Sequence, residues 1–586
     1  MKDKKVLQKA NTVSQFETLK EMLAQSVKNH GDRPAFLVKK EKGGTYEEIK
    51  YKQLANDVNA LGTALFDLGL KGEKIAIIGE NSYEWIVTYL AVVNGLGIVV
   101  PLDKELGKDE IWNLLEMSKS KAVFYTDTYK EILKDNPIDL KVSIKVYGDR
   151  TDLSEKLELD ERENGLETWN NLIIKGEDLI AQGKLDYVEA KVNPEVMNML
   201  YYSSGTTGVA KGIMLCHRNL VSNLRDTDKV VKVYPEDRTL SLLPIHHTFE
   251  NTLGILFILS RGASAAFCEG LRHVSKNFVE AQASILVGVP LIFESIYTKI
   301  WKQAEKSKMD KTLRTGIKIS RFLKAFGIRV ERKLFKTIHD SFGGKLRMIV
   351  CGAAAVDPKV VIGFEDFGVS FLQGYGLTEC SPLVSGTPEH SNRRKKPNSV
   401  GPVVASGQLK IVDKDEDGIG EVVYKGPNLM LGYYEMEDET NDVIKDGWFY
   451  TGDLGYLDKK GWLYLTGRKK NVIVTKTGKN IYPEEIELFV NENKYVKESM
   501  VYGIENDQET GTTIGIQIHP SYDIIYEEFG AEFEDNKIQN LIKDMVAKIN
   551  EKLPIYKRIQ SIIIRKDEFI KTTTKKIQRH KNIKKD

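Results

Sequence analysis

The sequence predicts a large layered α/β domain with a β-rich subdomain at about 400–467, followed by a small α+β domain at 468–586. Three observations carry that prediction. Apolar strands and helices alternate from residue 51 onward, the rhythm of parallel sheets covered by helices. Between Gly407 and Tyr464 that rhythm gives way to short strands separated by turn signals. After Arg468 strands and helices resume in a different order. A chain of 586 residues also exceeds the roughly 250–300 that one core holds, so two to four packing units are expected.

Tyr51–Leu68 carries apolar residues at helical spacing until Gly69 and Gly72 stop it. Lys74–Ile78 is a short apolar strand, Ser82–Asn94 a helix and Ile98–Leu102 a second strand. Similar units recur around 120–148, 240–290 and 345–373, with no fixed repeat period. Ile285–Phe293 is a short apolar run that reads as a buried strand or a helix start. Residues 302–336 hold twelve Lys or Arg against three acidic residues. Ile317, Phe322, Leu323 and Phe326 fall at helical spacing there, which predicts a basic amphipathic hairpin. It fits either a solvated face or contact with an anionic membrane surface or an acidic carrier. Further on, DEDG at 415–418, DG at 446–447 and KKG at 459–461 are hairpin turns. NVIV then reads as a strand, Pro483 opens a helix, 499–518 forms strands and 536–552 a helix. The tail 565–586 carries nine Lys or Arg against three acidic residues and no apolar face.

Composition narrows the function classes. The hydrophobic fraction is 41% and the net charge +2, so neither a disordered chain nor a whole-protein nucleic-acid footprint is expected. No window reaches about 18 uncharged apolar residues, so no transmembrane helix is expected. The start has positive charge with no apolar core behind it, unlike a secretory signal. Cys216, Cys268, Cys351 and Cys380 lie far apart without CxxC spacing, which points away from disulfides and structural zinc and toward a reducing, cytoplasmic setting.

Three segments carry chemistry. Tyr201–Gly212, YYSSGTTGVAKG, follows an apolar strand at Val196–Leu200. Ser203, Ser204, Gly205, Thr206, Thr207 and Gly208 can aim N–H groups and hydroxyls at phosphate oxygens, and Lys211 adds a point charge. It is not a Walker A loop, because Lys211 precedes Gly212 and no Gly-Lys-Ser/Thr closes the run. In LQGYGLTECS, Gly374 and Gly376 permit close backbone approach, and Tyr375 offers a ring for stacking on a base. Thr378 and Glu379 there supply a hydroxyl and a carboxylate, suited to phosphate and Mg²⁺. In GWFYTGDLGYLDKKGWLYLTGR, Asp453 sits in a Gly-flanked turn where it can hold ribose hydroxyls, and Arg468 follows a hairpin later.

Taken in order, these segments resemble the motifs of the AMP-binding, adenylate-forming superfamily, and among its members the long-chain fatty-acid–CoA ligases. YSSGTTGVAKG is similar to its phosphate loop, GYGLTE to its adenine and metal motif, and YTGD with the later GR to its ribose and hinge motif. The resemblance implies an α/β multi-subdomain N-terminal domain with a distorted β-barrel, 1–467, and a small mobile α+β C-terminal domain, 468–586. It implies that a medium- or long-chain fatty acid reacts with Mg²⁺-ATP to give acyl-adenylate and pyrophosphate, and that CoA then takes the acyl group and releases AMP. An acyl-carrier protein is the alternative acceptor, and a catalytically silent regulatory relative is a further alternative. Peripheral attachment to the inner face of an anionic membrane stays open.

The resemblance also assigns residues. Lys576, in KTTTKKIQR, occupies the place of the family's C-terminal lysine, where the usual pattern is PKTxxGKIxR. Ile570 and Lys575 depart from that pattern, and Ile577 and Arg579 keep the offsets that favour Lys576 over Lys575. Lys470 matches the hinge, and Gly478 would leave room for a pantetheine arm. Glu379, His247 and Thr206 join Lys576 as candidate catalytic groups, and Gly352 and Ala353 join the nucleotide-binding set. His247 matches the His that lines the acyl-carboxylate approach; a structural histidine beside Pro244 is the other reading. Phe249, Thr252, Leu253 and Gly288 are expected to line the acyl pocket. Gly376 would leave it open where acetate-selective relatives carry Trp.

Overall fold

The structure is a computed structural model that describes residues 16–148, 166–204, 210–474, 480–504, 513–530, 532–572 and 576–583. The chain divides into two compact units. One comprises Met1–Pro397, Gly401–Gln408 and Lys425–Lys445, and the other comprises Asn398–Val400, Leu409–Tyr424 and Asp446–Asp586.

The first unit is built on two eight-stranded sheets. One runs in the order Leu383–Gly386, Ser370–Gly376, Met348–Cys351, Ile285–Gly288, Arg238–Ser241, Ser264–Phe267, Pro34–Val38 and Glu47–Lys50. Its interior pairings are parallel, and antiparallel strands close both edges. The other runs Gly432–Tyr433, Ala210–Cys216, Met197–Ser204, Ile98–Pro101, Lys74–Ile78, Ala122–Thr126, Leu140–Ile144 and Leu166–Thr168. Buried on both faces, its central strands read as unbroken apolar runs, such as Ile75–Ile78 and Ala122–Tyr125. Helices cover these strands as their patterns dictate. Tyr51–Asp67 buries Leu54, Val58, Leu61 and Leu65 on one face. Tyr83–Ala91 starts where the Ser82 hydroxyl accepts the Trp85 N–H, and its residues are all buried. The apolar run at 285–293 divides into the strand Ile285–Gly288 and the helix Pro290–Lys306, with Pro at its first turn.

In the second unit the strands Trp462–Arg468, Trp448–Leu457, Gly420–Lys425 and Gln408–Val412 lie side by side in that order. The turn between the first two is closed by the Gly461 N–H donating to the Asp458 carbonyl, with Gly461 at φ +74. A three-stranded sheet follows, Val496–Ile504, Thr513–Pro520 and Ile559–Ile564. Its core takes Ile486 and Val490 from the helix Pro483–Asn491 and Ile538, Ile542 and Val546 from Asp535–Asn550. All four cysteines are free. Among the described residues no helix is long and apolar enough to cross a membrane.

Candidate active site

The strand Met197–Ser204 turns back antiparallel onto Ala210–Cys216, and its register carries through Tyr202↔Gly212, Ser203↔Lys211 and Ser204↔Ala210. Lys211 therefore stands opposite Ser203 at the mouth of this hairpin. Gly205, Thr206, Thr207 and Gly208 lie outside the described residues. The short strand Gly432–Tyr433 pairs with the outer side of Ala210–Cys216, setting Tyr433 against Ile213. The Lys211 ammonium lies 4.9 Å from the centre of the Tyr433 ring.

Glu379 sits in a single 3₁₀ turn, Thr378–Cys380, directly after the strand Ser370–Gly376. The Tyr433 hydroxyl donates to its carboxylate at 3.1 Å, and the Met430 N–H donates to its carbonyl at 2.7 Å. Tyr433 thus touches both Lys211 and Glu379. Burial, and then the neighbouring Glu379 charge, push the Tyr433 phenol far above its ordinary range, so it stays protonated and can donate. Asn428 adds a second tie, donating to the carbonyls of Cys380 and Leu383. Sequence reading missed Tyr433 and Asn428; the only signal was their place in the apolar run NLMLGYY.

Gly288, Gly352 and Gly374 meet at the carboxyl ends of three neighbouring parallel strands. The Gly352 N–H donates to the Gly288 carbonyl at 3.2 Å. A Cβ on Gly352 would stand 3.0 Å from the Phe249 ring, so the missing side chain lets that ring in. Ala353 follows with φ +73. Tyr375 is buried, with 7% of its surface exposed. Gly376 is exposed, and a Cβ there would lie 1.8 Å from the Pro382 carbonyl oxygen. Close approach of the antiparallel edge strand therefore demands glycine at 376.

His247 lies in a turn before the helix Phe249–Leu256. Asn81 pins this turn by donating to the Leu243 carbonyl and the Ser241 hydroxyl and accepting from the Ile245 N–H. His246 is buried beside it, its ring 4.4 Å from that of His247 and its Nε2 3.4 Å from Asp103. Ligand atoms of Asp103, His246 and His247 lie within 4.8 Å of one another. Two imidazoles suit Mg²⁺ poorly, because that ion takes oxygen ligands in octahedral geometry. Glu250, one helical turn on, is fully buried. Desolvation raises its carboxyl to about 8, with the nearby polar groups of Ser241, Leu242 and Leu243 opposing the shift.

An apolar cavity opens behind this helix. Leu253, Phe257, Val230, Val287, Leu372 and Leu383 are among its walls, with Gly374 and Gly386 on the same lining. Of the residues expected to line an acyl pocket, Leu253 is on this lining; Phe249, Thr252, Gly288 and Gly376 are not.

In the second unit Asp453 lies on the strand Trp448–Leu457, where the sequence suggested a turn. Gly452, at φ +69, and a register shift after Leu454 supply the irregularity that its glycines signalled. Asp453 stands opposite Arg468, and its carboxylate accepts the Arg468 Nε–H at 2.8 Å. Lys470 follows in a 3₁₀ turn. Partial burial, and then the nearby Arg468 guanidinium, lower the Lys470 ammonium, with Arg579 adding to the shift and Asp453 and Glu484 opposing it.

The terminal segment is clamped on both sides of Lys576. Before it, Lys571 pairs with Glu498 and bridges to Ile577. After it, the Arg579 Nη2 donates to both carboxylate oxygens of the partly buried Glu487, each at 2.6 Å, and its Nη1 donates to the Val501 carbonyl. Lys576 itself is exposed, its N–H donating to Thr572 Oγ1 at 3.2 Å. Gly478 and Lys575 lie outside the described residues.

Known proteins resemble the chain along most of its length. The family model described as "AMP-binding enzyme" matches residues 23–434, and that of the "AMP-binding enzyme C-terminal domain" matches 470–585. Fatty acyl-CoA synthetase B of Dictyostelium discoideum is 30% identical over 563 residues, covering 90% of this chain and 80% of its own length. Long-chain-fatty-acid–CoA ligase 1 of Homo sapiens is 29% identical over 494 residues, covering 78% of this chain and 68% of its own. Among solved structures, an anthranilate CoA ligase in complex with anthranoyl-AMP is similar in fold. Its TM-score is 0.73 at 21% identity, and the match covers 96% of each chain. With matches of this extent on both sides of residue 468, the chain belongs to the AMP-binding enzymes, the adenylate-forming superfamily.

Proposed function

We propose that this protein activates a medium- or long-chain fatty acid with ATP and transfers the acyl group to CoA. The observation that carries the reading is the convergence of Lys211 and Glu379 on Tyr433. A cation for phosphate oxygens and a carboxylate for a hard metal ion are thereby held together by one side chain. The apolar cavity behind Leu253 and the names of the relatives support an alkyl substrate.

In the first step a carboxylate oxygen of the acid forms a bond to the α-phosphorus of ATP. The bond from that phosphorus to the bridging oxygen breaks, and pyrophosphate leaves with the electron pair. The reaction needs positioning and charge stabilisation more than proton transfer. Lys211 and the Ser203–Gly208 loop would hold the β and γ phosphates, and Lys576 would meet the oxygen between carboxylate and α-phosphate. Asp453 and Arg468 would hold the ribose, and His247 would border the acid's carboxylate. Glu379 fits Mg²⁺, whose sites need one or two carboxylates alongside substrate phosphates. When bound there, the ion would offset the charge of the phosphate oxygens. In the second step the thiol of CoA loses its proton and its sulfur bonds to the acyl carbon, while the bond to AMP breaks. We place the junction of a mobile C-terminal domain at 468, with Lys470 as its hinge and Gly478 beside the pantetheine arm.

Product analysis by mass spectrometry tests the reading. Purified protein is given ATP, Mg²⁺ and fatty acids from short to long, with CoA, a holo-acyl-carrier protein or neither. Acyl-CoA and AMP formed with the longer acids is the expected result. Acyl-carrier product with CoA inert would replace the acceptor, and no AMP from any acid would overturn the proposal.

A further inference from the structure

The helix Asp310–Ala325 has two apolar faces. One is packed: Ile317 and Ser320 are buried, and Ile317 and Leu313 join a core with Phe335 and Phe367. The other points outward. Ile319, Phe322 and Phe326 are 47%, 65% and 69% exposed. Their spacing of three and then four residues puts them on one stripe, opposite the packed one. The rings of Phe322 and Phe326 lie 5.1 Å apart. The chain then turns at Gly327, φ +78, and Ile328, 51% exposed, extends the patch. Single exposed apolar residues are ordinary; a stripe ending in two aromatic rings marks an interaction surface.

The charges around it fall into two groups. Arg321 is engaged with Asp366, Lys324 with Glu331 and Lys336 with Asp340, while Arg332 donates to the carbonyls of Gly344 and Leu346. Lys306, Lys308, Lys311, Lys318, Arg329 and Lys333 are exposed and make no ion pair among the described residues. Fold stability does not account for this second group. An apolar ridge whose own helix carries the uncommitted Lys311 and Lys318, with Arg329 next to Ile328 in the chain, matches an anionic surface that is soft enough to admit side chains.

We propose that this face docks onto an anionic lipid bilayer, with Phe322, Phe326 and Ile328 entering the boundary between headgroups and acyl chains and the lysines meeting lipid phosphates. A folded acidic protein would have to offer a groove to seat rings this far exposed, whereas a bilayer needs none. The proposal goes beyond the assigned chemistry and does not depend on it, because its test reads binding rather than turnover.

The test is flotation of the full-length protein with vesicles of phosphatidylcholine, alone or with about one-third phosphatidylglycerol. The expected result is binding to the anionic vesicles only, weakening as salt is raised. The Phe322→Ser/Phe326→Ser variant should partition roughly tenfold less, and Lys311→Glu/Lys318→Glu should lose a similar factor. These side chains are largely outside the core, so circular dichroism and the melting temperature should match wild type. Wild-type protein that stays with the unbound fraction would overturn the proposal, as would equal binding by both variants. So would retention of a holo-acyl-carrier protein, abolished by the Phe substitutions, in the absence of vesicle binding; that result would give the face to a protein partner.

Discussion

His217 opens the helix that follows the hairpin of Met197–Ser204 and Ala210–Cys216, and its stability contribution should be readable as a pH profile. The ring is completely buried. Its Nδ1 accepts the Leu19 N–H at 2.9 Å, so the proton must reside on Nε2, which donates to the Val93 carbonyl at 2.9 Å. A second proton would have to enter on Nδ1, against the Leu19 N–H. Burial accordingly lowers the imidazole from its ordinary 6.5 to about 4. The unfolded chain binds the proton first as pH falls. The stability is therefore present above about pH 6.5 and is lost as pH drops through about 4. At about 1.36 kcal/mol per pH unit, roughly 3 kcal/mol is at stake. His217→Gln keeps a donor and an acceptor but cannot titrate. Near neutral pH it should be less stable by about 1–2 kcal/mol, the cost of poorer hydrogen-bond geometry. As pH falls wild type should lose that lead, and the variant should be the more stable protein by about pH 4.5. Urea unfolding of both proteins across this window, followed by near-ultraviolet circular dichroism, measures the difference. A gap that stays constant with pH would refute both the tautomer and the buried neutral ring.

Further substitutions probe the site. Lys576→Ala should abolish acyl-adenylate formation while thioester formation from supplied acyl-adenylate survives; the same phenotype from Lys575→Ala would show that the motif register is off by one. Tyr433→Phe removes the hydroxyl that donates to Glu379, and should raise the KM for Mg²⁺-ATP roughly tenfold in pyrophosphate-release assays while leaving the KM for the acid unchanged. Leu253→Trp fills the apolar cavity and should shift acid preference toward shorter chains, at about 0.8 kcal/mol for each methylene excluded; unchanged preference would place the alkyl chain elsewhere.

Local signals located most elements closely because their physics is local. Lys74–Ile78 is a strand, and Ser82 caps the helix behind it, as their residue types require. Extent was harder to read where a partner strand decides it. The strand expected over Val196–Leu200 runs over Met197–Ser204, because pairing with Ala210–Cys216 draws its serines into the ladder. Asp453 reads as a turn residue from its glycines, yet cross-strand pairing with Arg468 holds it in a strand. The basic hairpin shows the same limit. Helical spacing identified Ile317, Phe322 and Phe326 as apolar positions, and only packing separates the inward Ile317 from the outward rings. Tyr433 could not be found at all, since its partner Glu379 is 54 residues away.

The glycines show why residue type and residue purpose come apart. A sequence presents Gly288, Gly352, Gly374 and Gly376 as places where a ligand can come close. In the fold, three of them first admit the protein itself: Phe293 against Gly288, Phe249 against Gly352, and the Pro382 carbonyl against Gly376. The fourth, Gly374, faces Leu383 and also lines the cavity. A substitution at Gly352 would therefore move Phe249 before it touched any nucleotide, and one at Gly376 would push away the edge strand that follows Glu379. Loss of activity at either position would not by itself identify a ligand contact. The Tyr433 hydroxyl is a cleaner probe, because its removal leaves the backbone and the neighbouring packing in place while changing what Glu379 can hold.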